Sequence, residues 1–112
     1  MKKLLSILLL LCASPAFAQV QNTLLWDEVS DNEQGFIIER KAEICAGPGL
    51  FAEIARTGAN VVTYVDKAVA QGQFYCYRVA AFNTAGQSAY SNLADRLVPF
   101  VIPVSPTNLR VQ

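Results

Sequence analysis

The chain has 112 residues, nine basic and nine acidic side chains, three cysteines and no histidine. With no histidine, the usual general base of a serine or cysteine hydrolase is missing and the commonest neutral metal ligand with it. The even charge, with no basic stripe, argues against nucleic acid as a partner. No Gly-rich phosphate loop and no cofactor signature occurs, so the expected cofactor set is empty.

The first elements are a targeting segment. Lys2 and Lys3 form a charged n-region, Leu4 to Leu11 an apolar run broken only by Ser6, and Ala16-Phe17-Ala18 a small-x-small cleavage site. Residues 1–18 are therefore expected to be a signal peptide of bacterial appearance, with the mature chain starting at Gln19 in the periplasm or outside the cell. The apolar run is too short for a membrane span of roughly 20 residues. A lipoprotein reading centred on Cys12 is disfavoured by Leu11, where a small residue is expected. Cleavage removes two lysines and no acid, leaving seven basic against nine acidic residues and a net charge of about −2. The remaining 94 residues make one domain. Cys45 and Cys76 stay behind in an oxidising compartment without a Cys-x-x-Cys, and are expected to form a structural disulfide.

The mature chain reads as short strands between turns. Asn22 to Val29 is the first strand, with Leu24 and Trp26 on one side, followed by the turn Ser30 to Gly35. Phe36 to Lys41 is the second, with Phe36 and Ile38 facing the core. Ala46-Gly47-Pro48-Gly49 interrupts, then Phe51 to Arg56 is a third, and Val61 to Asp66 a fourth with Val62 and Tyr64 on one face. The next, within Gly72 to Asn83, places Tyr75, Tyr77, Val79 and Ala81 on one face and Phe74, Cys76, Arg78 and Ala80 on the other. Ala89 to Val98 is the last. Regularly spaced short strands without a sustained 3.6-residue period predict an all-β two-sheet sandwich.

Leu24-Leu25-Trp26, Gly35-Phe36-x-Ile38-Glu39-Arg40, Phe51-x-x-Ile54-Ala55, Thr63-Tyr64-x-Asp66 and Gly72-x-x-Tyr75-x-Tyr77-Arg78-Val79-x-Ala81-x-Asn83-x-x-Gly86-x-Ser88 together resemble a fibronectin type III domain, an immunoglobulin-like sandwich, of the bacterial extracellular sort. The likeness spans about residues 22–98. It implies a core of Trp26, Phe36, Tyr64, Tyr75 and Tyr77. It also implies that Tyr75 is a tyrosine-corner residue, its hydroxyl bonded to nearby backbone, with Val69 filling the apolar position before it. By the same likeness Cys45, in the connection after the second strand, and Cys76, at the start of the fifth, lie at one pole and within bonding reach.

One part of the pattern is displaced. The family's opening strand, Pro-x-x-Leu-x-Val, does not precede Asn22, which leaves residues 19–98 as a domain lacking its first strand. Pro106-Thr107-Asn108-Leu109-Arg110-Val111, within the tail 99–112, resembles that strand. The tail is expected to be a frayed linker; the alternatives are that it folds back onto its own first strand, which topology disfavours because it would run parallel there, or that it donates a strand to another copy through residues 101–112.

The remaining polar residues carry bland expectations. Asp27, Glu28, Asp31 and Glu33 lack calcium-loop spacing and read as a solvated loop, so no metal site is expected. Asp66 reads as a turn or capping residue, and Arg40 and Arg78 as sheet surface. Ile37, Phe74 and Phe82 are expected to face outward as a candidate binding patch, or to be partly covered by the Lys41 or Arg78 stems. The loops Ser30–Gln34 and Thr84–Gln87 share a pole where sandwiches often recognise ligands. The functional expectation is a secreted or periplasmic, non-enzymatic binding or adhesion module for a protein or glycan ligand, free of the membrane once the signal is cleaved. The alternatives are a subunit assembling head-to-tail and a small periplasmic enzyme inhibitor.

Overall fold

Gly35–Lys41 and Phe74–Asn83 pair antiparallel over seven residues, from Gly35 opposite Phe82 to Lys41 opposite Cys76, and this ribbon carries the rest of the fold. The computed structural model describes residues 20–112, so the signal-peptide reading lies outside the described residues. The strands are β1 (Asn22–Leu25), β2 (Gly35–Lys41), β3 (Ala52–Gly58), β4 (Thr63–Asp66), β5 (Phe74–Asn83), β6 (Gly86–Gln87) and β7 (Ala94–Leu97), with no helix among them. One sheet is β1–β4. The other runs β3–β2–β5, with β6 and β7 on the far edge of β5.

The alternation of side chains follows the sequence closely. Phe36 and Ile38 from β2 and Tyr75, Tyr77 and Val79 from β5 are buried between the sheets together with Val98. Leu24, Trp26, Val62 and Tyr64, from and beside β1 and β4, close the other side as partly buried partners. Trp26 meets Phe36 edge-on, with ring centroids 5.5 Å apart, the geometry that aromatic quadrupoles favour. Gly35 is required where β2 begins, because a Cβ there would collide with the Thr57 carbonyl of β3.

Two strands are shorter than their composition suggests. β1 stops at Leu25 rather than Val29. Trp26 N–H still reaches Val62 O at 3.1 Å, after which Asp27 and Glu28 leave the sheet. The expected strand Ala89–Val98 is reduced to β7, and a short β6 forms before it in the turn after β5. Between them Ser88 Oγ and Ser91 Oγ accept the amides of Ala81 and Val79 at 2.9 and 3.0 Å. Hydroxyls thus take ladder positions that carbonyls would hold, and the chain departs from strand geometry there. β3 carries a bulge, since Ile38 faces Ala55 while Glu39 faces Glu53, leaving Ile54 as the extra residue.

The connection between β2 and β3 is fastened to β5 by the disulfide Cys45–Cys76, with Cα atoms 5.0 Å apart. Lys41 Nζ holds the same turn by donating to Cys45 O at 3.0 Å and Gly47 O at 2.7 Å.

Candidate binding groove

β1 has a partner on one side only. Asn22, Leu24 and Trp26 direct their backbone groups towards β4, as the Trp26–Val62 bond shows. The alternate residues Gln21, Thr23 and Leu25 direct theirs the other way. There Arg96 Nη1 takes Gln21 O at 3.1 Å, and no strand among the described residues meets Thr23 or Leu25. Between this edge and β7 lies a groove of about 580 Å³, floored by Leu24, Trp26, Tyr77 and Val79 and walled by Ala94 and Arg96. The Trp26 indole N–H is buried without an acceptor among the described residues.

A hydrogen-bonded chain runs beneath the groove and joins five strands. Arg96 of β7 donates to Asn22 Oδ1, Asn22 Nδ2 donates to the Tyr77 hydroxyl at 2.9 Å, and that hydroxyl donates to Asp66 Oδ2 at 2.7 Å. Arg40 Nη1 reaches the same oxygen at 2.8 Å, while Ala68 N–H donates to Asp66 Oδ1 at 3.1 Å. Asp66 is 2 % exposed, so these donors replace the water it has lost. Burial disfavours charge on Arg40, but its hydrogen bond to Asp66 and the attraction of that carboxylate together raise its pKa. Burial, reinforced by the bond to Asp66, pushes the Tyr77 phenol well above its ordinary value and keeps it a donor.

One expectation fails here and another is incomplete. Arg40 is not sheet surface, because the period of β2 puts it on the same face as Phe36 and Ile38, where it crosses to β4. Asp66 makes the turn bond expected of it but is also the acceptor at the centre of the inter-sheet network. A charge in a hydrophobic strand pattern, at the core parity, was the available signal.

On the outer face of the larger sheet the anticipated apolar patch is not formed. Ile37 is 4 % exposed, flanked in register by Arg56 and Ala80, and Arg56 lies over the Phe82 ring at 5.0 Å. Arg78 does lie on this face, between the rings of Phe51 and Tyr90 at 4.1 and 3.7 Å, with Glu39 bonded to its Nε at 2.8 Å. Its cationic and apolar surfaces are therefore already engaged.

At the opposite end from Val98, the loops Ser30–Gln34 and Thr84–Gln87 come together as expected, joined by Asn83 Nδ2 to Asn32 O at 3.1 Å. They border a shallow hollow of about 330 Å³. The loop is less solvated than its composition implies, since Glu33 is largely covered. Pairing with Glu33 raises the pKa of the Glu28 carboxyl, and pairing with Glu28 lowers that of Glu33. No cluster of metal-ligating side chains occurs among the described residues.

The structure places the residues implied by the family likeness as follows. Tyr75 OH accepts the Ala70 amide at 2.9 Å, with Val69 packed on the core beside it. Phe36, Tyr75 and Tyr77 are buried, while Trp26 and Tyr64 are partly buried around them. Cys45 and Cys76 are bonded. Trp26 and Tyr77 also floor the groove. The groove itself was missed at residue level, because Ala94 and Arg96 become its wall only when β7 is laid opposite β1.

No protein-family model matches the sequence, and no curated protein does. Solved structures share the fold. The twitchin kinase region from C. elegans (Fn31-NL-kin-CRD-Ig26) superposes with a TM-score of 0.60 at 19 % identity, over 74 % of this chain and 15 % of that one. A structure described as a myokine gives 0.58 at 18 % identity, over 73 % and 86 %. The fibronectin type-III domain of human fibronectin type III domain containing protein 3 gives 0.56 at 21 % identity, over 75 % and 79 %. The chain thus spans only a small part of the twitchin region's length.

Proposed function

We propose that this chain, a two-sheet sandwich of fibronectin type III fold, is a secreted or periplasmic, non-enzymatic binding module that takes an extended polypeptide segment along β1. One observation carries the reading: Thr23 and Leu25 turn backbone groups with no partner strand among the described residues towards an apolar-floored groove. Main-chain bonding at an open edge supplies affinity, and pockets for alternate side chains supply selectivity. The compartment is inferred from the leader-like residues 1–18 together with the disulfide. The non-enzymatic reading is inferred from the missing histidine and from the full engagement of Asp66, Arg40 and Tyr77 with one another.

The test is a titration of isotopically labelled protein with a panel of extended peptides and glycans, followed through backbone amide shifts. Shifts at Thr23, Leu25 and Ala94 are expected with peptides. Shifts confined to Ser30–Gln34 and Thr84–Gln87 would instead assign recognition to the loop pole and overturn the groove reading.

A further inference from the structure

The tail supplies a segment with the properties the groove lacks. Its first residues are tied down: Gly72 N–H donates to Val98 O at 2.7 Å, Val101 N–H donates to Gln71 Oε1 at 3.0 Å, and the Phe100 ring lies where a Cβ on Gly72 would be. From Ile102 onward no hydrogen bond ties the tail to the rest of the described residues, and Leu109 and Val111 are each 95 % exposed. These two share one face of an extended segment and Arg110 the other. Residues 105–111 would span about 23 Å as a strand, long enough to cover the edge from Gln21 to Asp27.

We propose that residues 105–111 of one copy dock as a strand in the β1–β7 groove of a second copy. Direction favours a second copy over the chain's own tail. Arg96 bonds Gln21 O, so β7 ends at the pole where β1 begins, and Val98 to Val101 are anchored there. An intramolecular return would have to reverse between Val101 and Ser105, through Pro103, and would then run parallel to β1. A tail entering from the far pole runs antiparallel, the somewhat more stable pairing. Leu109 and Val111 would face the floor made by Leu24, Trp26 and Val79, and Asn108, left-handed in the undocked tail at φ 62°, would become extended. Because donor and acceptor surfaces differ, the contact is head-to-tail and propagates into open chains unless the rotation closes. The proposal rests on the groove being a strand-binding site.

The experiment uses the full chain and two variants. Leu109→Asp/Val111→Asp has a groove and no docking tail, and its changes lie where no contact with the domain exists. Thr23→Pro keeps the tail and the β1–β4 bonds but removes an amide aimed at the groove. Light scattering is expected to show the wild-type mass rising with concentration to two copies and beyond, and the tail variant staying at one. Mixing the two variants is expected to restore a pair and stop there. If Thr23→Pro does not fold, hydrogen exchange in the wild type decides: protection of the Thr23 and Leu25 amides should grow with concentration and be absent in the tail variant. A wild type that stays monomeric overturns the proposal. If its Thr23 and Leu25 amides are protected at every concentration, its own tail is the occupant. If they are unprotected but shift with added peptide, the groove reading stands while donation fails. With no shift either, both fail.

Discussion

Arg40 on β2 and Asp66 on β4 meet at 2.8 Å between the two sheets, and the Tyr77 hydroxyl of β5 closes on the same carboxylate oxygen. This contact joins strands that share no ladder, so it sets how the small sheet sits on the large one. Asp66→Ala would leave the Arg40 guanidinium, the Tyr77 hydroxyl and the Ala68 amide without their acceptor. Since the Arg40 side chain keeps 22 % of its exposure, a loss of about 3 kcal/mol is expected, at the low end for breaking a buried pair. Arg40→Met should cost less, because Asp66 retains two donors and the methionine refills the space over the Tyr75 ring. Urea denaturation of the two variants checks the order; equal or reversed losses would remove Asp66 from the centre of the network.

Tyr77 makes stability depend on alkaline pH. Its folded pKa is raised, so the native chain holds the phenolic proton more tightly than the unfolded chain does. The stabilisation is complete below the unfolded tyrosine value of about 10 and is lost as pH climbs from there towards the folded value. Denaturation midpoints followed from about pH 8 to about pH 11 should fall for the wild type. Tyr77→Phe should start less stable and fall less steeply. Parallel slopes would show that Tyr77 is not the group responsible.

The Cys45–Cys76 bond closes a loop across 31 residues of sequence. On the chain-entropy account its removal costs about 3–4 kcal/mol. The double variant Cys45→Ser/Cys76→Ser should therefore lose that much in equilibrium denaturation. Reduction of the wild type should match it, and reduction should leave the double variant unchanged.

Tyr75→Phe removes a single hydroxyl, the acceptor for the Ala70 amide at 2.9 Å. About 1 kcal/mol is the expected cost, with hydrogen exchange faster in Lys67–Gln71 and little altered in β2. Uniform acceleration across the domain would indicate that the ring, not the hydroxyl, had been disturbed.

Much of the architecture was legible in the chain because strand parity depends on local sequence. Tyr75, Tyr77 and Val79 sit inside, and Cys76 and Arg78 on the opposite face, as a two-residue period requires. Boundaries were less legible. Val29 is apolar enough for a strand, yet β1 ends four residues earlier, and Ser91 offers its hydroxyl to β5 where the last strand was expected, so β7 begins only at Ala94. Ile37 illustrates a different shortfall. Its outward parity was correct, but its cover comes from neighbours on two other strands.

The sequence by itself determined the strand order along the chain, the core parity and the pairing of its last two cysteines. These depend on residue type, spacing and local backbone preference. Only the tertiary structure decided that Arg40 and Asp66 pair, and that β1 faces β7 across an open groove. Those relations join residues 26 to 74 positions apart. Nothing in a local pattern encodes which distant neighbours packing will bring within reach.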